Sequence, residues 1–62
     1  MISVYYSEIR DKILTVEACE RKDTFRLYSI RTSTKELDFV NLENDVLLNE
    51  LLSKEYVLIG YV

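Results

Sequence analysis

The chain of 62 residues contains no proline, no histidine and no tryptophan, and only one glycine and one cysteine. Each absence removes a device. With Cys19 alone no intramolecular disulfide can close, and without histidine a zinc site has almost no ligands to draw on. A nucleophile needs a base beside it, and neither an imidazole nor a G-x-S-x-G elbow is present. Loops that cradle phosphate need glycines so that the backbone can approach the anion. Gly60 stands alone in an apolar run, where it marks a bulge or a close backbone approach. Asp38, Glu43 and Asp45 could gather near a helix start, but the calcium-loop spacing is missing, so capping and a solvated surface account for them. The expectation is a chain that is not an enzyme and carries no cofactor and no metal.

Long apolar runs are missing too. The longest, from Tyr56 to Val62, cannot span a bilayer, and the opening residues lack the basic flank and apolar stretch of a secretory signal. Together with a free thiol this points to a reducing, cytoplasmic setting and to no membrane partner. Eight Lys and Arg face eleven Asp and Glu, a net charge of −3. Residues 1–32 hold six of the bases and five of the acids, residues 33–62 two and six. An acidic balance argues against tight, non-specific contact with phosphate backbones. The length implies one domain over residues 1–62, which hides only about 60% of its unfolded surface. Small folds without a staple rely on apolar packing or on self-association.

What is present reads first as strands. Ile2, Val4 and Tyr6 alternate with Ser3, Tyr5 and Ser7; Leu14, Val16 and Ala18 alternate with Thr15, Glu17 and Cys19; Phe25 and Leu27 alternate with Arg26 and Tyr28. This period of two, rich in β-branched and aromatic residues, predicts half-buried strands over 2–8, 12–19 and 24–31. Pairing Ala18 with Phe25 sets Glu17 opposite Arg26, a favourable cross-strand pair, across a loop of residues 20–23. Pairing Val4 with Val16 sets Tyr6 opposite Leu14 and Glu8 opposite Lys12, across a three-residue loop. Both choices gather the apolar sets on one side, which predicts three antiparallel strands in sequential order.

Ser33-Thr34-Lys35-Glu36 has the spacing of a capping box, but the alternation around Leu37 and Phe39 favours a strand over 36–40. A helix follows over about 44–54. Asn41 or Asn44 can cap it, Glu43 and Asp45 suit its positive end and Lys54 its negative end. Leu47, Leu48, Leu51 and Leu52 form one apolar stripe. The segment 56–62 reads as a last strand, apolar enough to be buried on both faces or paired with a second chain. The fold class expected is α+β: a small, mostly antiparallel sheet in the order strand-strand-strand-strand-helix-strand, with one amphipathic helix packed on one face.

In that register the face away from the helix carries Tyr5, Thr15 and Tyr28 in one row, Ser3, Glu17 and Arg26 in a second, and Ser7, Ile13 and Ile30 in a third. Tyrosine and arginine are enriched where proteins meet, and such a face is adhesive if left in water. It would mean nothing if the remaining strands fold over it. The preferred reading is a small protein-interaction module whose partner is another protein, contacted through Tyr5, Ile13, Arg26, Tyr28 and Ile30. It forms a homodimer through the last strand, with Tyr56, Leu58 and Tyr61 in the assembly. The alternative is a nucleic-acid-binding regulator that stacks bases on Tyr5 and Tyr28 and meets phosphates with Arg10, Lys12 and Arg31.

Overall fold

The structure, a computed structural model, describes residues 1–20, 23–42, 44–53 and 55–62, and of residues 39–42 and 47 the backbone alone. Six elements run in chain order: β1 (Ile2–Ser7), β2 (Lys12–Ala18), β3 (Phe25–Arg31), β4 (Leu37–Leu42), α1 (Asp45–Leu52) and β5 (Val57–Tyr61). The strands make one antiparallel sheet in the order β4-β3-β2-β1-β5, accompanied by one short helix. Strands β1 to β4 follow one another as a meander. The chain then returns through α1 from one edge of the sheet to the other, where β5 pairs with β1.

Three loops of equal length set the registers. Ser7 pairs with Lys12; the Cys19 N–H donates to the Thr24 carbonyl at 2.9 Å; the Arg31 N–H donates to the Glu36 carbonyl at 3.0 Å. The first and third loops are therefore residues 8–11 and 32–35, four positions also separate Cys19 from Thr24, and a left-handed residue stands last in each: Asp11 (φ 56°), Asp23 (φ 60°) and Lys35 (φ 60°). Aspartate tolerates that conformation better than most side chains, which suits the first two positions. In the third loop the Lys35 N–H donates to the Arg31 carbonyl at 2.7 Å. Residues 33–36 thus turn a hairpin, and the capping-box spacing there starts no helix.

The second loop has the length expected, and β2 and β3 pair as the alternation predicts, with Ala18 opposite Phe25 and Glu17 opposite Arg26. The first loop is one residue longer than expected. Val4 pairs with Thr15, Tyr5 with Leu14 and Tyr6 with Ile13. A slip of one residue turns every side chain of a strand to the other face. Ser3, Tyr5 and Ser7 consequently join the side of Leu14 and Val16, and Ile2, Val4 and Tyr6 take the opposite side. Ser7 is fully buried, with its Oγ accepting from the Arg10 N–H at 3.1 Å. That bond ties the loop to the strand end and helps explain why a serine sits inside.

Among the described residues the buried apolar ones are Leu14, Val16, Leu27 and Leu48, with Tyr5, Phe25, Leu51, Leu52 and Tyr56 packed against them. Leu48 brings α1 into this cluster. The helix begins where the Asn44 carbonyl accepts the Leu48 N–H at 3.3 Å, with Asp45 in the first turn near the positive end. The roles read for Glu43, for Lys54 and for the side chain of Leu47 lie outside the described residues. At the far end Glu55 takes φ 76° before β5 begins.

Of the two expectations for the last strand, burial on both faces or pairing with a second chain, the first is not met by β5. It is an edge strand, hydrogen-bonded to β1 on one side, and four of its five residues are exposed. Its register shifts opposite Val4 and Tyr5, so Gly60 faces Val4 and Leu58 faces Tyr5, with Ile59 in excess between them. Gly60 therefore stands in a bulge. A Cβ added there would meet nothing within 4 Å, so no close backbone approach calls for the glycine.

Candidate interaction surface

Alternation along paired strands divides the side chains into the core face, which holds Leu14, Val16 and Leu27, and an open face. On the open face Val57 pairs with Tyr6, Tyr6 with Ile13, Ile13 with Ile30, and Ile30 with Leu37. One apolar row thus crosses all five strands. Its two ends, Leu37 and Val57, are 63% and 64% exposed. Beside it Val4, Thr15 and Tyr28 form a second row, in which Tyr28 is 39% exposed. A third row holds Ile2, Glu17 and Arg26, with Arg26 Nη1 at 3.4 Å from Glu17 Oε1. Both of these side chains are about half exposed, and an ion pair in that setting is worth about 0–1 kcal/mol at most. Its effect is to hold the guanidinium across the strands.

Of the contact residues expected from sequence, Ile13, Arg26, Tyr28 and Ile30 share the open face. Tyr5 does not: it packs against the core beside Leu14. Tyr6, Leu37 and Val57 share that face with them, and the sequence reading had not placed them there. One signal could have found Tyr6. Residues 8–11 are Glu-Ile-Arg-Asp and residues 20–23 Glu-Arg-Lys-Asp, the same order of acid, any residue, base, Asp. Equal loops follow from equal sequences, and the first loop sets which tyrosine faces out.

Near the β5 end of the row lies a hollow of about 320 Å³ lined by Tyr6, Glu8, Ile9, Glu55, Tyr56 and Val57. Arg10 Nε approaches Glu55 Oε2 at 3.7 Å. Of the residues expected to serve assembly, Tyr56 is half-buried at this hollow and against the core. Leu58 and Tyr61 pair with Tyr5 and Ser3 on the core face of β5 and remain exposed.

The strongest polar cluster lies at one end of the sheet. The Asp11 carboxylate accepts from the Ser33 hydroxyl, from the Thr32 hydroxyl and from the Ser33 N–H at 3.3 Å. The Thr32 N–H returns a bond to the Asp11 carbonyl at 2.9 Å. The Ser33 hydroxyl first, and the Thr32 hydroxyl after it, hold the Asp11 carboxyl below its ordinary range. These bonds join the first loop to the third. They make a strut between hairpins.

Among the described residues no three His, Cys, Asp or Glu side chains gather as metal ligands would, and no helix is long and apolar enough to cross a membrane. Architecture defines the class: a small α+β chain of one five-strand antiparallel sheet and a short helix. The chain matches no protein family, no curated protein and no solved structure.

Proposed function

We propose that this is a non-enzymatic, cytoplasmic protein-interaction module that presents the open face of its sheet to a protein partner and also self-associates. The row Val57–Tyr6–Ile13–Ile30–Leu37 carries the reading. Scattered apolar side chains on a surface need no explanation. One on each of five adjacent strands, in register, is a contiguous patch. The better apolar set of β1, Ile2, Val4 and Tyr6, lies on this face while a serine is buried. Local rules are broken in this way most often where function demands it. Tyr28 and Arg26 add the residue types that anchor protein contacts.

Helix α1 is read as an amphipathic cover for the core face through Leu48, Leu51 and Leu52, which leaves the opposite face to the partner. The hollow beside Tyr6 and Val57 suits one apolar anchor from that partner. The nucleic-acid reading has less support. Tyr5 packs against the core, Arg10 approaches Glu55 and Arg26 approaches Glu17.

The test compares the wild-type chain with Tyr28→Ala and Ile30→Lys as immobilised bait in host extract. A captured protein is then purified and titrated by calorimetry. The reading expects each variant to keep its circular dichroism and to weaken binding tenfold or more, about 1.4 kcal/mol. Unchanged affinity in both folded variants refutes it, and oligonucleotide retardation at low salt would favour the rival.

A further inference from the structure

Strand β5 is a free edge, and its chemistry sets it apart from the other edge of the sheet. Ile2 and Val62 exchange both of their backbone hydrogen bonds, at 3.0 and 2.8 Å, and Ser3 is the next partner, opposite Tyr61. Hydrogen-bonded and non-bonded pairs alternate along an antiparallel ladder. The Tyr61 N–H and carbonyl therefore point away from β1, toward open water. Natural edges are guarded by charge, proline or bulges against pairing with another chain. Residues 56–62 contain no charged residue and no proline. The bulge is their only guard. The edge at β4 differs, since it carries the exposed carboxylate of Asp38 and is preceded by Glu36. Pairing β4 with its own copy would draw acids together; β5 itself, Val57–Tyr61, holds no acid, and Glu55 two residues ahead of it already meets Arg10.

We infer that two copies of the chain associate edge to edge, β5 against β5 in antiparallel sense, to form one continuous ten-strand sheet. This deepens the self-association in the reading above and rests on it only there, because the open face is not consumed. A second copy is the occupant that satisfies both unguarded edges at once, in a closed two-fold assembly with no edge of that kind left over. Pairing β5 with the β4 edge of the next copy would extend without end and would leave Asp38 at every junction. Val57, Leu58, Ile59, Tyr61 and Val62 all expose large apolar surface, 42–83% of each residue. Val57 lies on the open face and Leu58 and Tyr61 on the core face, so exposed apolar side chains flank the edge on both sides of the sheet, where a second copy would cover them. Ile9, 76% exposed at the hollow beside Val57, adds apolar surface next to the edge. The apolar row of each open face then ends at the junction on Val57, so the dimer doubles the length of the contact surface. The charge of −3 on each copy opposes approach while the joining edge is neutral, so salt strengthens the dimer.

Sedimentation equilibrium of the full chain, from micromolar to millimolar, tests the pairing. The mass should rise from 7.4 kDa toward twice that value, at lower concentration in higher salt. Ile59→Lys, placing a charge on the edge, should raise the dissociation constant tenfold or more, and Tyr28→Ala should leave it within twofold. A millimolar wild-type chain that stays at monomer mass overturns the inference but leaves the open-face reading intact. Dissociation by Tyr28→Ala and not by Ile59→Lys overturns it too, and moves self-association to the face. Should Ile59→Lys fail to fold, amide exchange of the wild type decides. Tyr61 should exchange at least tenfold more slowly in the dimer, and exchange independent of concentration would contradict edge pairing.

Discussion

Among the described residues Leu27 is the one apolar side chain with no exposure at all, packed with Leu14, Val16 and Leu48. Leu27→Ala should cost about 2–5 kcal/mol, a large share of the stability of so small a chain, measurable by urea unfolding. Gly60 is the reverse case: glycine in a strand loses entropy on folding, and here no neighbour requires it. Gly60→Ala should raise stability by about 0.5–1 kcal/mol, unless the bulge resists a side chain. Asp11 brings pH into the picture. Its carboxyl titrates lower in the folded chain than in the unfolded one, so ionised Asp11 favours folding. That contribution is present above the unfolded-state pKa and is lost as pH falls through the lowered folded-state value. Wild type should therefore lose melting temperature on acidification more steeply than Asp11→Ala, and parallel curves would dismiss the strut. These roles were partly legible. Leu27 stood out by alternation, whereas the Asp11 bonds join residues twenty-one and twenty-two positions apart, and no local pattern announces them.

Strands β2 and β3 were readable because two independent signals agreed, the apolar alternation and the Glu17–Arg26 pair. β1 was not, because the two signals conflicted. Its apolar set, Ile2, Val4 and Tyr6, pairs best with Leu14 and Val16 by pattern alone. The loop at residues 8–11 adds one residue and overrides that preference. A left-handed Asp11 and the bond from the Arg10 N–H to Ser7 Oγ hold the longer loop. The consequence is open to measurement by NMR. Val4 with Thr15 and Tyr6 with Ile13 are the pairs whose backbones turn away from each other, which brings their α-protons close. Strong cross-peaks are expected for both. A contact between the α-protons of Tyr5 and Thr15 instead would restore the shorter loop and return Tyr5 to the open face. For the final strand the sequence left two readings open, burial on both faces or pairing with a second chain, because an apolar run with no polar alternation has the same composition in either case; its edge position excludes the first.

At the scale of the molecule, the chain is one five-strand antiparallel sheet with a short helix, with Leu14, Val16 and Leu27 on one face of the sheet and an apolar row from Val57 to Leu37 on the other. Under the proposed reading, that row and the uncharged β5 edge are the places where partners complete the protein. Asp38 pairs with Ser29, on the face opposite the row from Val57 to Leu37. Which surface meets the partner can be read directly. The ¹⁵N-labelled chain is placed in host extract, and amide signals lost to a slowly tumbling complex are mapped onto the sheet. The account expects losses at Tyr6, Ile13, Tyr28, Ile30 and Leu37, with Asn49 and Glu50 on the helix retained. Losses confined to the helix, or a spectrum identical to that in buffer, would contradict it.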